Sequence, residues 1–149
     1  MKKTILTEII ASLFILLFMY AAASKLLDYQ KFRIQLGQSP LLTTFAPTIA
    51  FIIPCIEILI SILLFSNKFR LAGLYISFCI MNMFSTYIYI ITKFSSYIPC
   101  SCGGILSKMS WNQHLVFNII FVFIGLAGIL NYQDLNETYE YKKEIIIRT

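Results

Sequence analysis

Residues 47–65 read PTIAFIIPCIEILISILLF, and one ionisable acid, Glu57, interrupts an otherwise oily run. An α-helix needs ~20 apolar residues to cross ~30 Å of hydrocarbon. This stretch meets that length and is too long and continuous for a transmembrane strand. Three further runs of the same kind flank it, at about 5–27, 71–91 and 111–130. The sequence therefore predicts an all-α fold, an integral membrane four-helix bundle. The bundle forms one domain over residues 1–130. A polar, charged tail, 131–149, follows as a short docked or disordered element.

Composition supports the same class. Of 149 residues, 58% are hydrophobic and 13% charged, against about 25% charged in soluble domains. The net charge of +5 is carried in short patches between apolar runs, and no basic-aromatic stripe suggests a nucleic-acid partner. The lipid bilayer is the environment implied. The first run has a rival reading as a signal peptide, because Lys2 and Lys3 precede it and Ala21-Ala22-Ala23 resembles a cleavage site.

Orientation follows from Lys and Arg near the helix ends. One side holds seven: Lys2, Lys3, Lys68, Arg70, Lys142, Lys143 and Arg148. The other holds five: Lys25, Lys31, Arg33, Lys93 and Lys108. The bias predicts a bacterial inner membrane protein with both termini cytoplasmic. The loops 28–46 and 92–110 then face the periplasm, where a disulfide can persist.

The second of these loops carries the chemistry. Residues 99–114 read PCSCGGILSKMSWNQH. A disulfide between Cys100 and Cys102 would close a very small ring, and the resulting strain would make it reducible. Pro99 stiffens the approach, and Gly103-Gly104 relax the backbone beyond it. The bland readings are a static staple or two unpaired thiols, and a ring this small removes little chain entropy. Only His114 is near enough in sequence to join the thiols on a metal, which leaves too few ligands for a zinc site.

The fourth helix opens on Ser110 and Gln113, an S-x-x-Q capping box. Trp111 follows at the interface. His114 and Asn118, four residues apart, share one face. The positive end of this helix points toward the cysteines and would stabilise a thiolate, which His114 would tune. The alternative for His114 is a bond to a backbone carbonyl.

Glu57 is the most costly residue in the chain, since an ionised side chain at mid-membrane must pair, face water or take up a proton. Its candidate partners are Asn82, Asn118 and, reaching down from the first helix, Lys25. Together they would form a polar cluster that relays protons or holds a quinone head group. The structural alternative is interhelical glue. Lys25 and Asp28 can also pair with each other along one helix face. Cys55 and Cys79 read as buried small hydrophobes. Pro54 is expected to kink the second helix and free a carbonyl near Glu57. Gly125 and Gly128 are expected to allow close helix packing.

Three features carry a family resemblance over most of the chain. They are the A-x-x-x-K-x-x-D-x-x-x-F pattern of Ala21, Lys25, Asp28 and Phe32, the P-x-x-E of Pro54 and Glu57, and the Cys100-Ser101-Cys102-Gly103-Gly104 loop before a last helix. In this order they resemble the MauE/DoxX family of small redox-associated membrane proteins. The resemblance implies a four-helix membrane protein. For the MauE branch it implies a link to methylamine utilisation, in maturation of the disulfide-rich small subunit of methylamine dehydrogenase. The fold also looks like that of DsbB and vitamin K epoxide reductase, which pass electrons from thiols to quinone through C-x-x-C, where this chain has C-x-C.

The expected function is that of a membrane thiol–disulfide oxidoreductase. Cys100 and Cys102 would exchange with an exported cysteine-containing protein or a thioredoxin-like carrier. Glu57, Asn82, Asn118 and Lys25 would serve a quinone. Two alternatives stay open: a non-catalytic maturation or assembly subunit, and a small proton-coupled transporter that uses Glu57.

Overall fold

A computed structural model describes residues 2–38, 43–94 and 110–148, with side chains described for 5–38, 43–94 and 110–133. Its elements are α1 (Lys2–Leu27), α2 (Tyr29–Gly37), a 3-10 turn (Thr43–Phe45), α3 (Ala46–Phe65), α4 (Arg70–Phe94) and α5 (Trp111–Arg148). Four of the helices are long and apolar enough to cross a membrane. No strand occurs among the described residues. The all-α, four-span architecture expected from the sequence is the one observed.

No span is more than a third buried within the protein. Leu16, Phe65, Met83 and Phe123 are strongly exposed, as side chains that meet lipid should be. Lipid tails are as apolar as these residues, so the bundle is held by close packing rather than by the hydrophobic effect. A phenylalanine cluster forms the centre. The rings of Phe14 and Phe18 stack at 6.0 Å, and Phe14 meets Phe121 edge-on at 5.5 Å. Small residues let the helices approach. A Cβ on Gly128 would lie 2.9 Å from Ile10, and one on Gly125 would lie 3.3 Å from Phe14. These glycines act as packing sites, as expected.

α3 and α4 form a hairpin whose turn is closed by backbone bonds from Ser66 N to Ile62 O and from Phe69 N to Ser66 O. Beside the turn, a Cβ on Gly73 would lie 3.0 Å from both the side chain and the backbone nitrogen of Leu64. The same end of the bundle holds the start of α1 and the middle of α5. Arg70 lies 4.0 Å from Glu8, Tyr132 bonds the Asn67 carbonyl, and Gln133 bonds the Tyr75 hydroxyl.

Two elements differ from the expected outline. Residues 29–37, expected as loop, form α2, which buries Phe32, Gln35 and Leu36. Phe32 and Leu36 pack on Ala46 and Ala50 of α3. The fourth helix does not end at Leu130 but runs unbroken to Arg148. Its 38 residues span about 57 Å at 1.5 Å per residue. That exceeds the ~30 Å hydrocarbon layer, so its last turns extend past the bilayer.

Candidate functional site

The end of α1, α2, the starts of α3 and α5, and the second half of α4 converge at the opposite end of the bundle. Between them lies a cavity of about 370 Å³ with mostly apolar walls. Its charged and polar wall includes Lys25, Glu57, His114 and Asn118. The chain leaves α4 at Phe94 and enters α5 at Trp111 at this same end. The segment carrying Cys100 and Cys102 is thus tethered here on both sides. Those two cysteines lie outside the described residues.

An ion pair forms the centre of the site. Lys25 Nζ donates to Glu57 Oε1 at 2.6 Å, with side-chain exposures of 14% and 2%. Lys25 also reaches the Ala21 carbonyl at 3.4 Å and lies 5.8 Å from the ring centre of Phe32, a cation–π distance. The pair arises from two simple placements. Lys25 sits in the last turn of α1, and its flexible stem reaches back along the helix toward the membrane interior. Glu57 lies eleven residues after Ala46, the start of the antiparallel α3, about 16 Å in.

The other carboxylate oxygen, Glu57 Oε2, is buried and has no hydrogen-bond partner among the described residues. An uncompensated buried acceptor costs several kcal/mol in a low-dielectric setting, and this one belongs to a residue that lines the cavity. Pro54, buried one turn earlier, lacks the N–H that would bond the Ala50 carbonyl. Ser61 Oγ donates to the Glu57 carbonyl at 3.0 Å.

α5 supplies the facing wall. Ser110 N donates to Gln113 Oε1 at 2.9 Å, and Gln113 N donates to Ser110 Oγ at 3.3 Å. This is the expected capping box, and it fixes where the helix starts. Trp111, His114 and Asn118 then follow on the cavity side. His114 is half-buried and Asn118 is buried.

The structure thus brings Lys25, Glu57, His114 and Asn118 to one cavity, and it leaves Asn82 out. Asn82 donates to the Phe78 carbonyl of its own helix at 2.8 Å and is absent from the cavity wall. The reason is angular. Two residues past Ile80, which does line the wall, a side chain has turned about 200°. Lys25 pairs with Glu57 rather than with Asp28, which is exposed at the α1–α2 junction. Cys55 and Cys79 are free thiols, exposed on the bundle's outer surface rather than buried. Each lies beside a cavity residue in sequence but is turned about 100° from it around the helix. No group of three or more His, Cys, Asp or Glu side chains among the described residues is placed to hold a metal.

The aromatic and α2 walls were missed in the sequence. Phe32 and Leu36, together with Tyr20, Tyr87 and Trp111, complete the enclosure. A signal for α2 existed: Tyr29, Phe32 and Leu36 recur at helical spacing, with Lys31 and Arg33 between them.

These features define a polytopic four-helix membrane protein with a buried ion pair on the wall of an apolar cavity. The model of a family described as methylamine utilisation protein MauE matches residues 3–131, and the chain belongs to that family. The match supports the MauE half of the expected resemblance and is silent on DoxX. No curated protein and no solved structure gave a significant match.

Proposed function

We propose that the chain is a membrane thiol–disulfide oxidoreductase of the MauE type. In this reading Cys100 and Cys102 cycle between dithiol and disulfide. A thiolate of an exported cysteine-containing protein or thioredoxin-like carrier, or one of the pair itself, attacks across the exchange, and a mixed disulfide links the two proteins. The electrons are passed on to a quinone held in the cavity. The balance is two thiols plus one quinone giving one disulfide plus one hydroquinone, with both thiol protons ending on the quinone oxygens.

One observation carries the quinone half of the reading: a buried carboxylate oxygen without a partner on the wall of an apolar cavity, at the end of the bundle that tethers the cysteines. The cavity falls within the ~300–1,000 Å³ of small-ligand sites. Lys25 and Asn118 offer N–H donors for ring carbonyl oxygens, and Glu57 Oε2 offers an acceptor for a hydroxyl. A bound quinone supplies a two-electron, two-proton acceptor. Lys25 and Glu57 hold and move protons beside it, and the apolar wall excludes water. His114 and the capped start of α5 follow the cysteine segment in the chain, and a helix N-terminus lowers the pKa of a thiol brought to it.

Two other readings differ in what they require. A maturation or assembly subunit needs the cysteines only as a shaped loop. A proton-coupled transporter needs Glu57 and not the cysteines. Separate Cys100→Ser and Cys102→Ser variants distinguish them. Under the oxidoreductase reading both lose activity, and one accumulates a reducible, higher-mass adduct with an exported thiol protein, because the resolving thiol is gone. The double variant forms none. Two fully functional single variants with no adduct would overturn the reading.

A further inference from the structure

The α3–α4 hairpin is tight at its turn and open at its far end. At the turn, Gly73 lets α4 press against Leu64. At the far end Ile49, Ile53 and Ile56 of α3 and Ile80, Met83 and Tyr87 of α4 all line the cavity. None of these six is fully buried, and Met83 is 69% exposed while forming part of the wall. Met83 is the most exposed of the wall residues, well ahead of Tyr20 of α1 at 38%, and a wall residue that is mostly outer surface marks the main mouth.

The helix geometry says between which helices the mouth lies. Phe78 packs toward Gly125 of α5, so that flank of α4 faces α5. Met83, five residues on, is turned about 140° from Phe78. Gly73, which touches α3, is turned by about the same angle in the other sense of rotation. Between them lies the α3-facing flank, with Tyr87 and Ile80 on it. The mouth therefore opens along the α3–α4 seam. Its depth is mid-membrane, since Met83 lies eleven residues before Phe94, the end of α4, about 16 Å in. Glu57 lies equally far from the start of α3.

We infer that the cavity is loaded sideways from the bilayer through this seam, and that its ligand is a membrane-dissolved molecule. A small oxygen-bearing ring lies at Glu57 and Lys25, and an apolar tail lies between Ile53 and Met83. This rests on the quinone reading for the identity of the ring. The rim is apolar apart from the Tyr87 hydroxyl, so a tail moves from lipid to seam with little change in its surroundings. The polar ring, in contrast, gains the unpartnered Glu57 Oε2. Ring contacts favour the head group over lipid, and the seam, which holds the bound tail, sets which tails fit.

The chain's single tryptophan, Trp111, lines the cavity and reports occupancy by fluorescence quenching. The test uses the full chain in nanodiscs, titrated with an isoprenyl-tailed benzoquinone and with the same ring without a tail, each expressed per lipid. The Ile53→Phe/Met83→Phe variant narrows the seam. It should weaken binding of the tailed quinone about tenfold and leave the tail-less ring unchanged. Equal loss for both, or loss for neither, overturns the portal and leaves the quinone reading standing. Failure of both quinones to quench overturns the quinone reading. The portal is then judged on the unaltered chain with a phospholipid carrying a photoreactive group midway along its acyl chain. Adducts on Ile56 and Phe84 support it. Adducts confined to outward residues such as Phe51 and Leu59 overturn it.

Discussion

Lys25 and Glu57 are worth little as a pair and much as partners. Removing two charges from water costs several kcal/mol per ion, and their attraction offsets that only when the geometry is good. Here Nζ and Oε1 are 2.6 Å apart, yet Oε2 remains unpartnered. Deleting one partner strands the other charge. Lys25→Met should therefore destabilise the bundle by about 3–5 kcal/mol, read by denaturant unfolding in mixed micelles. The Lys25→Met/Glu57→Leu double variant should recover most of that loss, because no charge is left uncompensated. A double variant as unstable as the single would mean that the pair is needed as an ion pair. Function asks a different question of the same residue. Glu57→Gln keeps the shape and loses the titrating group, so it should insert normally and lose thiol-oxidising turnover. Glu57→Leu should insert at least as well. Full turnover in both variants would reduce Glu57 to a structural acceptor.

Elements show how far the sequence could be read. The four spans were legible because crossing hydrocarbon imposes a length and an apolar composition that soluble helices need not meet. The start of α5 was legible because Ser110 and Gln113 are a local signal. Glu57 and Lys25 were legible as a candidate pair because a charge in hydrocarbon must find a partner. What failed depended on rotation about a helix axis. Asn82, Cys55 and Cys79 have the right depth, but depth does not say which way a side chain points, and an all-round apolar helix has no face to set the phase. α2 failed for another reason: nine residues with two cations read as a loop unless Phe32 and Leu36 are seen to land on Ala46 and Ala50. Close packing has its own test. Gly73→Ala places a methyl 3.0 Å from the Leu64 backbone nitrogen, which cannot swing away as a side chain can. The hairpin must shift, at about 1–3 kcal/mol, read as a lower midpoint in the same unfolding assay. At Gly128 the obstacle is a side-chain methyl, Ile10 Cγ2 at 2.9 Å, which can yield by rotation about χ1 at some cost without moving a backbone, so Gly128→Ala should cost less. The reverse order would mean that the α1–α5 contact, not the hairpin, is the tighter seam.

For the whole molecule, the even number of spans fixes which ends go together. The Glu8–Arg70 approach and the Tyr132–Asn67 bond hold the start of α1 and the exit of α5 against the α3–α4 turn. The cavity and the tether points of the cysteine segment lie at the other end. Every functional proposal therefore turns on which end faces out. We propose, from the seven-to-five excess of Lys and Arg, that the turn and termini face inside, an orientation that would place the cysteine segment in the compartment where disulfides persist. The four thiols of the chain can read this out, because they sit in different solvents. Cys55 and Cys79 are exposed on the bundle but within spans, so lipid covers them. In intact cells, after mild reduction, a membrane-impermeant maleimide should label Cys100 and Cys102 and leave Cys55 and Cys79 unmodified. A lipid-soluble maleimide should label all four, which it would not do if the span cysteines were packed inside the protein. Labelling of Cys100 and Cys102 only after the inner membrane is opened would invert the orientation. The pair would then face a reducing compartment, out of reach of an exported thiol protein, and the oxidoreductase reading with an exported partner would fall with the topology.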